Sequence, residues 1–438
     1  MVQRIGAAFL VCSLFLVMAT LGGVQTSVVD HTEGAFSSSL PTRGNTRYDM
    51  VVIAPDGFSE VLQPFIEHKN SYNMSTFLKP VEDIYAEYEG RDNAEQIKYF
   101  IKNAVETWHI EYVLLFGSSD MLPMRKSMMQ CSFYDFEYVP TDMYYADIYD
   151  ENGSFCSWDS NHNNLFGEFS WEMSNNDVEY VDNVNLYPDV GIGRLPCSND
   201  GEVDAMVDKI IAYETQTYGQ DWFTRILLMG GDTHSQHEGN EGEIVTEYVA
   251  EAMTGFEPVK LWTSLGTFKP HTINKEISAG AGFISYSGHG KAWEISTNRP
   301  STERRIHYFS PYLLGLSNAD KLPVVFLDAC KTATPDFGVL GIDLPSFAWM
   351  MVKQPDSGAI ATIGASRMGY GGVVGNPLGG GTCRMNANFF EAYEPGITVS
   401  QMLTAAQTAY LDDLWKDCLT LQEFMLIGDP SLRVGGYP

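Results

Sequence analysis

Two short apolar runs in this chain each stop at a reactive side chain, and the rest of the sequence must fold to accommodate both. The first is Phe283-Ile284-Ser285-Tyr286-Ser287, followed by Gly288-His289-Gly290. The second is Leu322-Pro323-Val324-Val325-Phe326-Leu327-Asp328, followed by Ala329-Cys330. Both are rich in β-branched and aromatic residues and bounded by glycine or proline, the pattern of buried strands. Open parallel sheets gather ligands and reactive groups at the carboxyl ends of their strands. A histidine at one such end and a cysteine at another make a candidate base and nucleophile, although 41 residues separate them (289 to 330).

The surrounding chain alternates strand and helix patterns. Strands are expected at Tyr48–Pro55, Thr76–Val81, Tyr112–Gly117, Arg225–Gly231 and Ala359–Gly364, and a joining strand at Pro188–Pro196. Helices are expected at Val61–His68, at Asn93–Thr107 with Ile97, Ile101 and Val105 on one face, and at Glu202–Tyr213. This alternation argues for an α/β fold with a mostly parallel sheet and helices on its faces. Several runs end in Gly, Ala or Ser beside polar residues, so their tips would share one rim. Residues 131–187 break the rhythm with aromatic, Asn and Asp content. No solenoid-type repeat is present.

Hydrophobic residues make up 44% of the 438 and aromatics 13%, ample for a core of one large or two smaller units. Acidic residues outnumber basic ones 56 to 27, for a net charge of -29. Such a field repels nucleic acid and anionic membrane and favours cationic substrates or bound cations; a merely soluble acidic surface is the plainer alternative.

Arg4 precedes an apolar stretch from Ile5 to Val24, which reads as a secretory signal peptide or an uncleaved anchor over residues 1–26. Either way the rest is exported, secreted or held at the cell surface, and a membrane enters only through that anchor. Residues 27–47, rich in Ser, Thr and Gly, read as a flexible leader. Cys12 lies in the apolar stretch, leaving Cys131, Cys156, Cys197, Cys383 and Cys418 beside Cys330. Export permits disulfides, but the spacing assigns none.

The pattern His289-Gly290 after one strand and Ala329-Cys330 after the next resembles the gingipain family of cysteine peptidases, in the larger caspase-like group. Pro188-Asp189-Val190-Gly191-Ile192-Gly193-Arg194-Leu195-Pro196 and Leu426-Ile427-Gly428-Asp429-Pro430-Ser431-Leu432 fit the same family. The resemblance runs from about residue 48 to 435 and implies a three-layer caspase-like sandwich in two subdomains, residues 48–195 and a catalytic 196–438. It implies a cysteine endopeptidase acting on protein or peptide, with Cys330 as nucleophile, His289 as acid and base, and no cofactor needed for the chemistry. The family places an acidic residue to orient the histidine where Asp232 stands; glutamate occurs there too, and aspartate is one methylene shorter.

The residues support these roles on chemical grounds. A free thiol is only a few per cent ionised at neutral pH, so Cys330 needs a proton acceptor, while a small buried cysteine closing a strand is the structural alternative. His289 between two glycines sits where the backbone turns sharply, and the N–H groups of Gly290 and Cys330 would hold a developing oxyanion. Peptidases of this type select a basic residue before the cut when an acid lines the pocket. Glu241 or Glu243 would be that acid and Trp293 an apolar wall, against a reading of each as a solvated surface residue. Asp159, Asn161, Asn163 and Glu168 place oxygen ligands at near-alternate positions and suit a structural calcium ion, against an Asn-rich surface turn. Two other classes compete: a non-catalytic caspase-like binding module, and a metal-dependent hydrolase using Asp232, His234, His237, Glu238 and Glu241.

Overall fold

The structure is a computed structural model, which describes residues 47–438 except 132–133, 173–176, 183, 235–238, 340–341, 373–374 and 415–416. The expected signal or anchor, and the leader up to residue 46, lie outside the described residues.

Strands form at all eight expected runs and at two that were not singled out, Glu257–Trp262 and Phe424–Ile427. The ten are Met50–Ala54 (β1), Thr76–Pro80 (β2), Tyr112–Phe116 (β3), Gly191–Leu195 (β4), Arg225–Gly230 (β5), Glu257–Trp262 (β6), Phe283–Ser287 (β7), Val324–Asp328 (β8), Ala361–Ala365 (β9) and Phe424–Ile427 (β10). They form one sheet in the order β6-β5-β7-β8-β9-β10-β4-β3-β1-β2. Strands β1, β3, β7 and β8 are buried at every position, as expected of parallel strands covered on both faces. Neighbours pair in parallel throughout, save that β9 and β10 run antiparallel. The sheet thus consists of two five-stranded parallel halves of opposite direction. Although β10 lies near the C-terminus, it belongs by direction with β1 to β4. Residues Arg47–Pro438 form one compact unit.

Helices observed at Gln63–Ser71, Asn93–Trp108 and Asp200–Gln216 match the three expected from periodicity. Side chains cap two of them: Asp92 accepts from the N–H of Glu95 at 2.9 Å, and Asn199 from that of Glu202 at 3.1 Å.

The two family-like stretches without reactive groups meet in the sheet. Ile427 pairs with Arg194, and a Cβ at Gly193 would lie 2.4 Å from the carbonyl oxygen of Gly428, so only glycine lets the Gly-Asp-Pro turn pass. Buried Arg194 makes two bonds to Asp142, at 2.8 and 2.7 Å, and donates to the carbonyl of Leu122 at 2.9 Å. Asp429 meets Lys69 at 2.6 Å, which also contacts Glu214 at 2.8 Å, all three buried. These ion pairs tie the sheet's seam to flanking loops and helices.

Three smaller sheets among the described residues were not foreseen, the shortest pairing Gly338–Val339 with Ile342–Asp343. Residues 131–187, read as irregular, contribute to a four-stranded sheet of Tyr134–Thr141, Arg125–Cys131, Phe166–Glu172 and Asp177–Tyr180. His289–Lys291, Glu294–Asn298 and Arg305–Phe309 form a three-stranded antiparallel sheet beyond the tip of β7.

Candidate active site

Parallel pairing of β7 with β8 settles the distance problem posed by the sequence. Phe283 pairs with Val324 and Ser287 with Asp328, the same offset of 41 that separates His289 from Cys330. The two residues therefore stand at equivalent positions, each two beyond the last pair of adjacent strands. Gly288 donates to the Asp328 carbonyl at 3.1 Å, extending the pairing by one step. A Cβ at Gly290 would lie 2.5 Å from the Cys330 carbonyl oxygen and 2.9 Å from the Ala329 Cβ. The His-Gly and Ala-Cys segments are thus in direct contact, which requires glycine at 290.

His289 is held from two sides. Buried Tyr286 places its hydroxyl 2.9 Å from the His289 carbonyl oxygen and 2.8 Å from that of Ser296, tying the histidine backbone to the three-stranded sheet. The ring Nε2 lies 3.0 Å from the carbonyl oxygen of Thr233. A carbonyl only accepts, so Nε2 carries the proton and Nδ1 is left as the basic nitrogen. Burial, reinforced by the positive charge of Arg305, lowers the His289 pKa to about 4.

Cys330 is half-buried, and its Sγ donates to the carbonyl of Gly369 at 3.3 Å, on the loop after β9. Burial, then the negative charge of Glu423, pushes the thiol up to about 11. Both shifts favour the neutral forms, a thiol at Cys330 and an imidazole at His289. Cys197, Cys383 and Cys418 also carry thiols, all buried. Among the described cysteine side chains, Cys330 is the one not fully buried.

Asp232 follows β5 and is fully buried. Its backbone bridges Asn298, and its carboxylate accepts from the N–H of Ser301 at 2.9 Å. The orienting contact to His289 comes from the next residue, through the Thr233 carbonyl. Burial raises the Asp232 pKa above the ordinary value.

Glu241 and Glu243 begin the helix Glu241–Ala252, and both are buried rather than solvated. Glu241 accepts from the N–H and the hydroxyl of Thr233, each at 3.1 Å. Glu243 accepts from the Ser264 N–H at 2.9 Å and its hydroxyl at 2.5 Å, and from the Thr263 hydroxyl at 3.2 Å. Among the described residues, neither is paired with a cation. Trp293 is partly exposed on the turn after His289–Lys291, with its ring stacked on Phe337 at 5.5 Å.

Of the four residues considered for calcium, Asp159, Asn161 and Asn163 share one loop, and Glu168 lies in the strand Phe166–Glu172 that follows it. Asp159 is buried and paired with Arg91, and accepts from the N–H groups of Asn163 at 2.9 Å and Asn164 at 3.1 Å. Asn161 also accepts from the Asn163 N–H at 2.9 Å, while the Asn163 amide donates to Glu168 at 2.9 Å. Of the alternative zinc set, His237 and Glu238 lie outside the described residues. No cluster of three or more His, Cys, Asp or Glu suited to a metal occurs among the described residues.

Reading side chains alone missed Thr233 and Gly369, because both act through carbonyls that every residue possesses. It also missed Glu423, a fully buried acid whose charge bears on the thiol.

A family model for peptidase family C25 matches residues 43–435. Gingipain R2 of Porphyromonas gingivalis (strain ATCC BAA-308 / W83) is 22% identical over 446 residues, covering 95% of this chain and 51% of the relative. Gingipain R1 of Porphyromonas gingivalis is 22% identical over 407 residues, covering 88% and 34%. The chain thus spans about half or less of the length of these curated relatives. Among solved structures, that of the Arg specific cysteine proteinase gingipain R aligns with a TM-score of 0.63 at 22% identity, covering 91% of this chain and 80% of that one. The complex of Porphyromonas gingivalis RgpB pro- and mature domains aligns with a TM-score of 0.64 at 20% identity, covering 88% and 79%. These likenesses show the caspase-like α/β fold.

Proposed function

The chain belongs to peptidase family C25, and from that premise we propose that it is a secreted or cell-surface cysteine endopeptidase cutting after a basic residue. The observation that carries the reading is the shared register of β7 and β8, whose last pair, Ser287 with Asp328, lies two residues before each of His289 and Cys330. In the reaction, Nδ1 of His289 takes the Cys330 proton as sulfur attacks the scissile carbonyl carbon. The imidazolium then protonates the leaving amine, and water, deprotonated by the same nitrogen, releases the acyl group. The N–H groups of Gly290 and Cys330 serve as the oxyanion donors; losing one such donor costs about 3 kcal/mol in the transition state.

Three observations support the basic preference. The net charge is -29. Glu243 is buried with only hydroxyl and N–H partners among the described residues. One solved relative is described as Arg specific. Export rests on the apolar stretch Ile5–Val24. The structural calcium proposed at Asp159, Asn161, Asn163 and Glu168 would raise the melting temperature by mass action, and a melting curve identical with calcium and with chelator removes it.

The deciding experiment pairs fluorogenic peptides, varied before the cut, with a peptidyl acyloxymethyl ketone. Cleavage after Arg or Lys is expected, with labelling at Cys330 that the Cys330→Ala variant abolishes. Labelling at Cys197 or Cys383 instead overturns the nucleophile. A folded protein that neither cleaves nor is labelled points to a binding module, and activity abolished by a chelator but not by thiol alkylation points to a metal hydrolase.

A further inference from the structure

His289 is oriented by a backbone carbonyl, so whatever fixes that carbonyl also fixes the base. The carbonyl oxygen of Thr233 and the N–H of His234 belong to one peptide group. At one end of that group the oxygen accepts from His289 Nε2 at 3.0 Å. At the other, the His234 N–H points to Oε2 of Glu241 at 3.4 Å, and the same oxygen receives the Thr233 N–H and hydroxyl at 3.1 Å each. A carboxylate on the N–H side of a peptide polarises it and strengthens its carbonyl as an acceptor. Negative charge on Glu241 is therefore felt at the imidazole through one peptide bond.

The carboxylate is itself rigidly mounted. Gly242 donates to the Gly231 carbonyl at 3.0 Å, at the end of β5. A Cβ at Gly242 would lie 2.3 Å from the Ser287 carbonyl oxygen, and one at Gly230 would lie 2.5 Å from that of Gly242. The start of the helix is thus pressed onto the tips of β5 and β7, the latter ending two residues before His289. Although burial opposes ionisation, hydrogen bonds from its own N–H and from Thr233 and His234 hold the Glu241 carboxyl below its ordinary pKa.

We propose that Glu241 is a positioning residue for His289, acting through the Thr233–His234 peptide to hold the Nε2–H tautomer and to stabilise the imidazolium formed during turnover. This rests on the peptidase reading for its catalytic consequence, but not for its structural claim. Asp232, His234 and Arg305 are the other charged or titratable groups bearing on the ring or on Glu241.

The test compares wild type with Glu241→Ala, Glu241→Gln and Glu241→Asp, measuring kcat and KM on a basic fluorogenic peptide. The ring ¹⁵N shifts of His289 are followed against pH, assigned with His289→Gln. Around metal-bound histidines, outer partners that orient the ring typically contribute roughly ten- to a hundredfold, and the same order is expected here. Glu241→Ala should lower kcat by that order with KM little changed, and should mix the His289 tautomers. Glu241→Gln keeps an acceptor without charge and should fall between. Glu241→Asp should restore part of kcat and the Nε2–H signature. Retained kcat in Glu241→Ala, or unchanged ring shifts, overturns the proposal. If that variant does not fold, Glu241→Gln and Thr233→Val decide on the same readouts. If wild type neither cleaves nor is labelled at Cys330, the peptidase reading fails, while the ring shifts still decide the role of Glu241.

Discussion

At Cys330 and His289 the proposed chemistry starts from a neutral pair, and this sets two expectations. With the thiol pushed up to about 11, alkylation of the substrate-free protein by iodoacetamide should be slow at neutral pH and accelerate only in alkaline solution. Fast alkylation in mild acid would show a preformed thiolate and overturn this picture. The second expectation concerns stability. His289 titrates at about 4 in the fold against 6.5 in a free chain, so between those values the unfolded state binds more protons. Stability contributed here is complete above about pH 6.5 and is lost as pH falls towards 4. Urea midpoints measured across that window should rise with pH, and His289→Gln should flatten the slope. Much at this scale was legible beforehand, because a thiol and an imidazole advertise their chemistry. Glu241 was legible as an acid, yet its partner is a peptide group, and no side-chain pattern announces that.

Between elements, what counts is the crossing of the β7 and β8 tips at Gly290. Replacing it with alanine puts a methyl group 2.5 Å from the Cys330 carbonyl oxygen. Overpacking of this kind costs about 1–3 kcal/mol, and here the displaced atoms are the nucleophile's own backbone. Gly290→Ala should therefore lower kcat/KM well beyond its effect on the urea midpoint; full activity would show that the tips tolerate separation. Eight strands of the large sheet were readable from their apolar runs, but Glu257–Trp262, reading EPVKLW, and Phe424–Ile427 were not singled out. Nor was the four-stranded sheet. Arg125–Cys131 reads RKSMMQC and Phe166–Glu172 reads FGEFSWE, mixing polar and apolar residues without clean alternation. The hairpin after His289 was hidden by strands as short as His289–Lys291.

Across the whole molecule, two features act at long range. A net charge of -29 should steer cationic peptides, so kcat/KM for a basic substrate should fall as salt rises. A preference for Arg or Lys over neutral residues that survives high salt would place an acid in the pocket, whereas its collapse would leave only general steering. The second feature is the buried ion pair of Arg194 with Asp142, beside the seam. Removing one partner of such a pair typically costs about 3–5 kcal/mol, so Arg194→Ala should show a large loss of stability in urea unfolding, and a small one would deny the pair its anchoring role.

The place of β10 also bears on how such a chain is made. Synthesis delivers β1 to β9 first, yet the middle of the sheet stays split, with β9 and β4 each presenting a bare edge until Phe424–Ile427 arrives between them. Open edges invite wrong partners. They also mean that a nascent chain holding both His289 and Cys330 still lacks the strand that joins its two halves. The proposed catalytic pair is thus synthesised before the strand that closes the sheet between its two halves.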